Sequence, residues 1–437
     1  MHMRARWWTL LTVLLCCSAC GAPSLRHKKD VNRLLAASEF SAAAQKVEAQ
    51  RGKEYKKRDA LLYYLDLGTI LHDAYEPGQS DILFAQAQDR TEELFTQSLS
   101  AHAGRYLIND LTVPYYPAPY EQSLTYYYRA MNFLSLGDVG GALVEANKAV
   151  FYLDQIRGKY KTWPDDPFVQ YFASLVFESA GKIDDARIAR KRAFNAYAAL
   201  NGRNGLPLRP SFEKPVKGWG EIVVVHANGA VPLKISQTFQ VAWDQIFIWS
   251  DSSREGEGMD PSVRNAIAAG LLGSSVTVAY PELEEQPFQI ASSEVLTKDG
   301  RVYSTMLMED VADAAHAQLQ EDKPGMLLRM ALRAAAKRVA AVQAKHAAAE
   351  ASGEEGWGSV AEAFVSVFGA LTEKADTRQW FTLPAQLRMA RVYVSPGRQD
   401  VTLRFRDGYG NIIGEHTFEN VPVKPGGRVY LHYRTAK

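Results

Sequence analysis

Nine histidines are spread over 437 residues with no His-Glu-x-x-His and no two at ligand spacing, so the sequence offers no histidine-built metal site. No Gly-x-Ser-x-Gly elbow occurs. The glycines of Gly408-Tyr-Gly-Asn-Ile-Ile-Gly414 are spaced somewhat like a dinucleotide loop. That stretch leads from one strand pattern into another, so no helix N-terminus would meet a phosphate. Two groups suited to binding remain. Tyr115, Tyr116, Tyr120 and Glu121 cluster just after Asn109 and Asp110, and tyrosines that join apolar area to a polar tip suit a glycan or peptide, or fold over their own scaffold. Arg329, Arg333 and Lys337 stand at i, i+4 and i+8, one stripe of a helix that could hold an anionic glycan or lipid head group, or be a solvated face. No motif assigns a reaction, so a binding protein is expected rather than an enzyme.

Composition narrows the partners. A formal charge of +1 gives no concentrated basic surface for nucleic acid. The N-terminus has basic Arg4 and Arg6, an apolar run from Trp7 to Cys17, and small residues ahead of Cys20. It resembles a bacterial lipoprotein signal. The resemblance implies cleavage after residue 19, a diacylglyceryl thioether and N-acyl chain on Cys20, and, with Gly21 following, sorting to the outer membrane. Multiple acyl chains anchor durably where one does not. Cys16 and Cys17 would leave with the signal, so the mature chain would have no thiol for disulfides, catalysis or zinc. Loss of Arg4 and Arg6 moves the charge from +1 by two, to −1. Apart from the lipid, no cofactor or metal is expected.

The elements that would position these groups divide the chain. Residues 20–36 read as a polar, basic tether, and the pattern from Val31 to Leu200 is helical. Small and large positions recur in three sets: Gly68 with Phe84 and Ala87, Gly137 with Ala142 and Ala146, Gly181 with Ala186 and Ala193. Their offsets resemble the tetratricopeptide repeat, irregularly spaced, since Gly137 and Gly181 are 44 residues apart. Pro207, Pro210 and Pro215 mark a linker over 205–217. Strand patterns follow, with Asn228-Gly229 predicting a two-residue hairpin between Glu221–Ala227 and Ala230–Gln237. Short strands from Ala390 to Tyr433 predict a small β-sandwich. The expected fold is α+β multidomain: a helical repeat domain over 37–204, a mixed strand and helix domain over 218–375, and a sandwich over 376–437.

The hairpin Ala130-Met-Asn-Phe-Leu-Ser-Leu-Gly137-Asp138 with Ala142-Leu-Val-Glu145, and the junction Ala375-Asp-Thr-Arg-Gln-Trp380 before Leu383-Pro384, carry a wider likeness. With Asn109-Asp110, Tyr120-Glu121, Gly220-Glu221-Ile-Val-Val and Val278-Ala-Tyr-Pro281, they resemble an uncharacterised family of bacterial envelope lipoproteins with a tetratricopeptide-like N-terminal half. That family usually has basic residues after the Val-Glu of the hairpin, where Ala146-Asn147-Lys148 stands here. The resemblance brings no activity. It implies an outer-membrane lipoprotein facing the periplasm, a scaffold or adaptor binding an envelope protein or peptide through a repeat groove. The alternatives are an enzyme acting on envelope polysaccharide or peptidoglycan through a pair of carboxylates, and a structural part of a secretion or polysaccharide-export complex.

Overall fold

The structure is a computed structural model that describes residues 23–99, 114–159, 165–242, 275–326 and 375–437. Its N-terminal half is helical and its C-terminal half is built from sheets, so the α+β class holds. The helices come as four antiparallel hairpins. These are α1 (Leu25–Ala36) with α2 (Phe40–Glu48), α3 (Ala60–Asp73) with α4 (Pro77–Leu99), α5 (Pro119–Ser135) with α6 (Val139–Ile156), and α7 (Pro167–Ser179) with α8 (Ile183–Leu200).

One turn closes all four. The residue entering the second helix returns its N–H to a carbonyl five positions back: Glu39 to Leu34, Glu76 to Leu71, Asp138 to Phe133 and Lys182 to Phe177, at 2.8–2.9 Å. The residue before it is left-handed, at φ 77° in Gly137 and 72° in Gly181 as the sequence predicts, but also at φ 60° in Ser38 and 62° in Tyr75. This 6→1 closure satisfies carbonyls that a helix end otherwise leaves bare. The small residues lie where helices cross. A Cβ on Gly68 would sit 3.2 Å from the Phe84 ring, and Ala142, Ala146, Ala149 and Leu153 form the buried stripe of α6.

Ten strands follow among the described residues: β1 (Gly220–Asn228), β2 (Leu233–Ala242), β3 (Ser275–Glu284), β4 (Ser292–Thr297), β5 (Val302–Ser304), β6 (Met306–Asp310), β7 (Gln386–Val394), β8 (Gly397–Arg406), β9 (Ile412–Val423) and β10 (Arg428–Thr435). Helix α9 covers residues 311–326. One sheet has the order β10-β1-β7-β6, a second β5-β4-β8-β9, and β2 pairs with β3. The two four-stranded sheets share a core in which Ile222, Val224 and Val392 meet Val295, Leu403 and Phe405. The other face of the first sheet, through Val223, Val225, Met389 and Tyr430, belongs to the helical core. β1 is therefore buried along its whole length, which explains its unbroken apolar run.

Two expectations are corrected. Asn228-Gly229 does not form a hairpin: β1 runs parallel to β10 and antiparallel to β7, whereas β2 pairs with β3. Asn228 is bound into the core, its amide donating to Ile290 O at 2.8 Å, so the chain leaves the sheet there instead of folding back. Nor is 376–437 a separate sandwich. β7 and β10 flank β1, and β8 pairs with β4, so strands on both sides of residue 376 interleave in the same two sheets. Backbone pairing across a long sequence gap overrode the local 8–12-residue spacing. Asp299-Gly300 turns the chain between the antiparallel partners β4 and β5.

Candidate functional site

The first helix of each hairpin faces the rest of the protein, and a short strap from Asp376 to Leu383 crosses that face. Lys28 of α1 donates to Thr377 O at 2.6 Å. Arg378 forks onto Asp376, at 2.7 Å to one oxygen, and reaches Asp59 at 2.9 Å. The Trp380 indole packs on Phe84 and Tyr128 and donates to Thr69 Oγ1 at 2.8 Å, and its backbone N–H donates to Glu121 at 2.9 Å. Thr382 donates to Asp66 at 3.1 Å, and Gln379 donates to Pro232 O at 2.7 Å. Beyond the strap, α3 and α7 meet the first sheet: His432 donates to His72 O at 2.9 Å, and Arg428 to Leu175 O at 2.8 Å. The chain itself thus covers that face of the helical array. The junction so recognisable in the sequence is an internal fastening.

The candidate residues separate accordingly. Tyr115, Tyr120 and Glu121 are buried. Glu121 accepts from the Tyr115 hydroxyl, from Ala118 N at 2.8 Å and from Trp380 N, so it joins the aromatic loop to the strap. Tyr120 and Glu121 are committed inside the fold, whereas Tyr115, though largely buried, still contributes to the wall of the cleft described next. Tyr116 is the exposed member, at 45%. Cys20, Asn109, Asp110, Arg329, Arg333 and Lys337 lie outside the described residues.

Tyr116 opens onto a cleft of about 1140 Å³ between the end of α4, the 114–119 loop, α6 and α9. Phe95 and Phe151, also lining it, are 53% and 65% exposed. Sequence reasoning missed both, although Phe151 carries a legible signal: a large apolar side chain off the buried Ala142/Ala146/Ala149 stripe of its own helix. Three lysines (Lys148, Lys159 and Lys234) and three carboxamides (Gln122, Gln155 and Gln318) share the walls with Glu92 and Asp322. Lys148 Nζ is 3.1 Å from Glu145.

Among the described residues, one group has metal-ligand chemistry: His72, Asp73 and His432, all buried. His72 Nδ1 lies 2.7 Å from Asn132 Oδ1, and His432 Nε2 donates to a carbonyl, leaving one bare nitrogen on each ring. The rings, however, stack at 4.0 Å with 28° between planes. Imidazole lone pairs lie in the ring plane, so these run nearly side by side instead of converging on one ion. Arg434, 3.6 Å from Asp73, already serves as its counterion. The group packs the helices on β10.

Burial governs the titratable groups inside the fold. It pushes Asp66 up to about 8, against the hydrogen bonds of Tyr55 and Thr382, and raises Asp73 and Asp166 to about 7. It pulls His72 down to about 4 and His226 to about 3. The acids are raised, so their neutral forms stabilise the fold below the unfolded carboxylate range, and this is lost as pH rises through 7 to 8. The histidines are lowered, so their contribution is present above about 6.5 and is lost as pH falls toward 4 and 3. Between about pH 6.5 and 8.5 the acids dominate, and stability is expected to fall with rising pH. Urea midpoints across that range check this: Asp66→Asn should flatten the decline, and a midpoint that rises with pH would refute it.

No helix among the described residues is long and apolar enough to cross a membrane. No family model matches the chain, and no curated protein does. Among solved structures, the crystal structure of BtubC (BKLC) from P. vanneervenii is similar at 18% identity and a TM-score of 0.28, over 41% of this chain and 65% of that one. The match therefore spans less than two thirds of that chain's length, and at that TM-score it carries no argument about fold or function.

Proposed function

We propose that this chain is a scaffold or adaptor of a bacterial envelope, held to the outer membrane by lipid on Cys20, that binds a periplasmic protein or peptide. The lipoprotein-like run ahead of Cys20 supports the anchoring. The four hairpins with one repeated turn support a tetratricopeptide-like array. In this reading the array presents its partner site on the cleft bordered by α4 and α6, since its inner face holds the strap and the sheet. The observation that carries it is the grouping of Phe95, Tyr116 and Phe151, each about half exposed or more, around one 1140 Å³ cleft. Exposed aromatics gathered in a concavity mark binding surfaces, and aromatic rings supply much of the energy at interfaces.

A photo-crosslinking side chain placed at Tyr116 or Phe151 in living cells tests this. Both positions are expected to trap the same envelope protein, whereas Tyr409, 94% exposed on the β8–β9 turn, is expected not to trap it. A Cys20→Ala arm should release the protein from the membrane fraction and weaken the adduct. Equal adduct patterns at all three positions would exclude the cleft as the partner site.

A further inference from the structure

The outermost strand of a sheet presents N–H and C=O groups with no ladder to join, and folded proteins blunt such edges against pairing with other chains. The two four-stranded sheets end in β10, β6, β5 and β9. Three of these edges are blunted. β5 has 3 residues, β6 has 5 with a register shift between Leu307 and Glu309, and the His432 carbonyl of β10 accepts from the Tyr75 hydroxyl at 3.2 Å. β9 is different. It has 12 residues and pairs with β8 alone among the described strands. Its far end is closed by Asn420, left-handed at φ 56°, by Pro422 and by the buried Val421 and Val423. From Ile412 to Glu419 it has no proline, lysine or arginine, and every residue is exposed or half-buried.

The pairing with β8 sets the two faces of this open stretch. Gly414, His416 and Phe418 stand opposite Phe405, Leu403 and Val401, so they face the sandwich core, and Ile413, Glu415, Thr417 and Glu419 face outward. β9 and β10 are neighbouring edges of the two sheets, since His416 stacks on Tyr433 at 4.0 Å. Phe418 and, on β10, Val429, Leu431 and Tyr433 are only partly buried against the shared core. The opening between the sheets thus keeps apolar surface that one more strand beside β9 would cover. On the outward face, Arg404 and Arg406 are matched by Glu294 and Glu415. Asp400, which accepts from Asn420 N, and Glu419 then stand against Arg398, which donates to Asn420 O, and this leaves one negative charge in excess.

Charge decides which strand fits. A second copy paired through β9 about a two-fold axis would bring two glutamates from each copy to one face of the new ladder, with no lysine or arginine of β9 to offset them. Like charges on facing strands repel, and opposite charges attract. We infer that β9 takes up an extended segment of another protein as a fifth strand of its sheet, a segment in which apolar residues alternate with basic ones. The apolar set continues the Phe418 face over the opening, and a basic residue meets Glu419. Backbone pairing gives affinity, and the alternate side chains give selectivity. This surface is separate from the cleft of Phe95, Tyr116 and Phe151 and does not depend on it.

The test uses the full-length protein in detergent micelles and pools of degenerate peptides about eight residues long, the length of the open stretch. In three pools Val/Ile/Phe alternates with Lys/Arg, with Asn/Gln or with Asp/Glu. A fourth repeats the basic pool with N-methyl groups on alternate backbone nitrogens, which blocks a ladder and leaves the side chains unchanged. Retained peptide is measured by mass spectrometry. The basic pool should be retained about threefold better than the neutral one and the acidic pool least, and N-methylation should cut retention at least about tenfold. Glu419→Lys, a change to a surface side chain that circular dichroism checks for folding, should reverse the order of the basic and acidic pools. A photo-crosslinking side chain at Thr417 should trap the basic peptides, and one at Val302, 51% exposed on the blunted edge β5, should not. Equal retention of the methylated and unmethylated pools overturns strand addition, and equal retention of the basic and acidic pools overturns the basic class. Retention of no pool, or retention without a crosslink from Thr417, removes β9 as the site. A dimer in sedimentation that Ile413→Lys converts to monomer would put a second copy on β9 and overturn the inference as well.

Discussion

Arg378→Met is expected to destabilise the protein by roughly 3–5 kcal/mol, read as a lower urea midpoint at unchanged slope, because one guanidinium serves the buried Asp59 and the partly buried Asp376. Asp59 is fully buried, and Arg378 Nη1 is its close partner at 2.9 Å; the other contact, from Arg58, is longer at 3.4 Å. Burial would raise Asp376, yet the hydrogen bonds and charge of Arg378 outweigh it and hold that carboxyl below its ordinary value. Removing the arginine leaves the buried Asp59 with only the longer contact to Arg58, and a buried charge so poorly paired is costlier than never burying the pair. Lysine is expected to rescue little, since a single ammonium cannot fork onto Asp376 while reaching Asp59. Asp59→Asn combined with Arg378→Met should recover part of the loss, because it removes the orphaned charge as well. A cost below about 1 kcal/mol for the single variant would show that the strap does not fasten the array.

Trp380→Ala should lower stability by a similar roughly 3–5 kcal/mol, through a different mechanism. The indole is fully buried among Phe84, Tyr128 and Thr69, residues of α3, α4 and α5, so truncation opens a cavity where three helices meet. Trp380→Phe keeps much of the packing and loses the bond to Thr69, so it should cost less. The two largest effects should not add: Arg378 and Trp380 lie two residues apart on one strap, and once either lets the strap loosen, the other has less left to lose. Far-ultraviolet circular dichroism should show the helices melting together with the sheets in both variants. Helices that melt unchanged while the sheets unfold early would indicate two independently stable units and refute the fastening role.

The junction around Trp380 shows where sequence reading stopped. The Ala375–Trp380 stretch stands out as a block, but its meaning lies in Asp59, Asp66, Thr69 and Glu121, some 260 to 320 positions earlier. No local pattern joins these positions. Tyr115, Tyr120 and Glu121 illustrate the same limit: residue types that suit an interface serve equally to satisfy one another inside a core, and only the packed geometry separates the two uses.

What the sequence determined by itself is local. The paired helices follow from 3.6-residue periodicity, their left-handed turns from Gly137 and Gly181, and the strands of the C-terminal half from alternation, because each depends on residues a few positions apart. Tertiary structure alone decided that β1 lies between β7 and β10 rather than against β2, that the strap covers the inner face of the array, and that Tyr116 shares an open cleft with Phe95 and Phe151. Those outcomes depend on burial and hydrogen bonding between distant segments. The energy of such contacts is set by which surfaces meet in space, and spacing along the chain does not encode it.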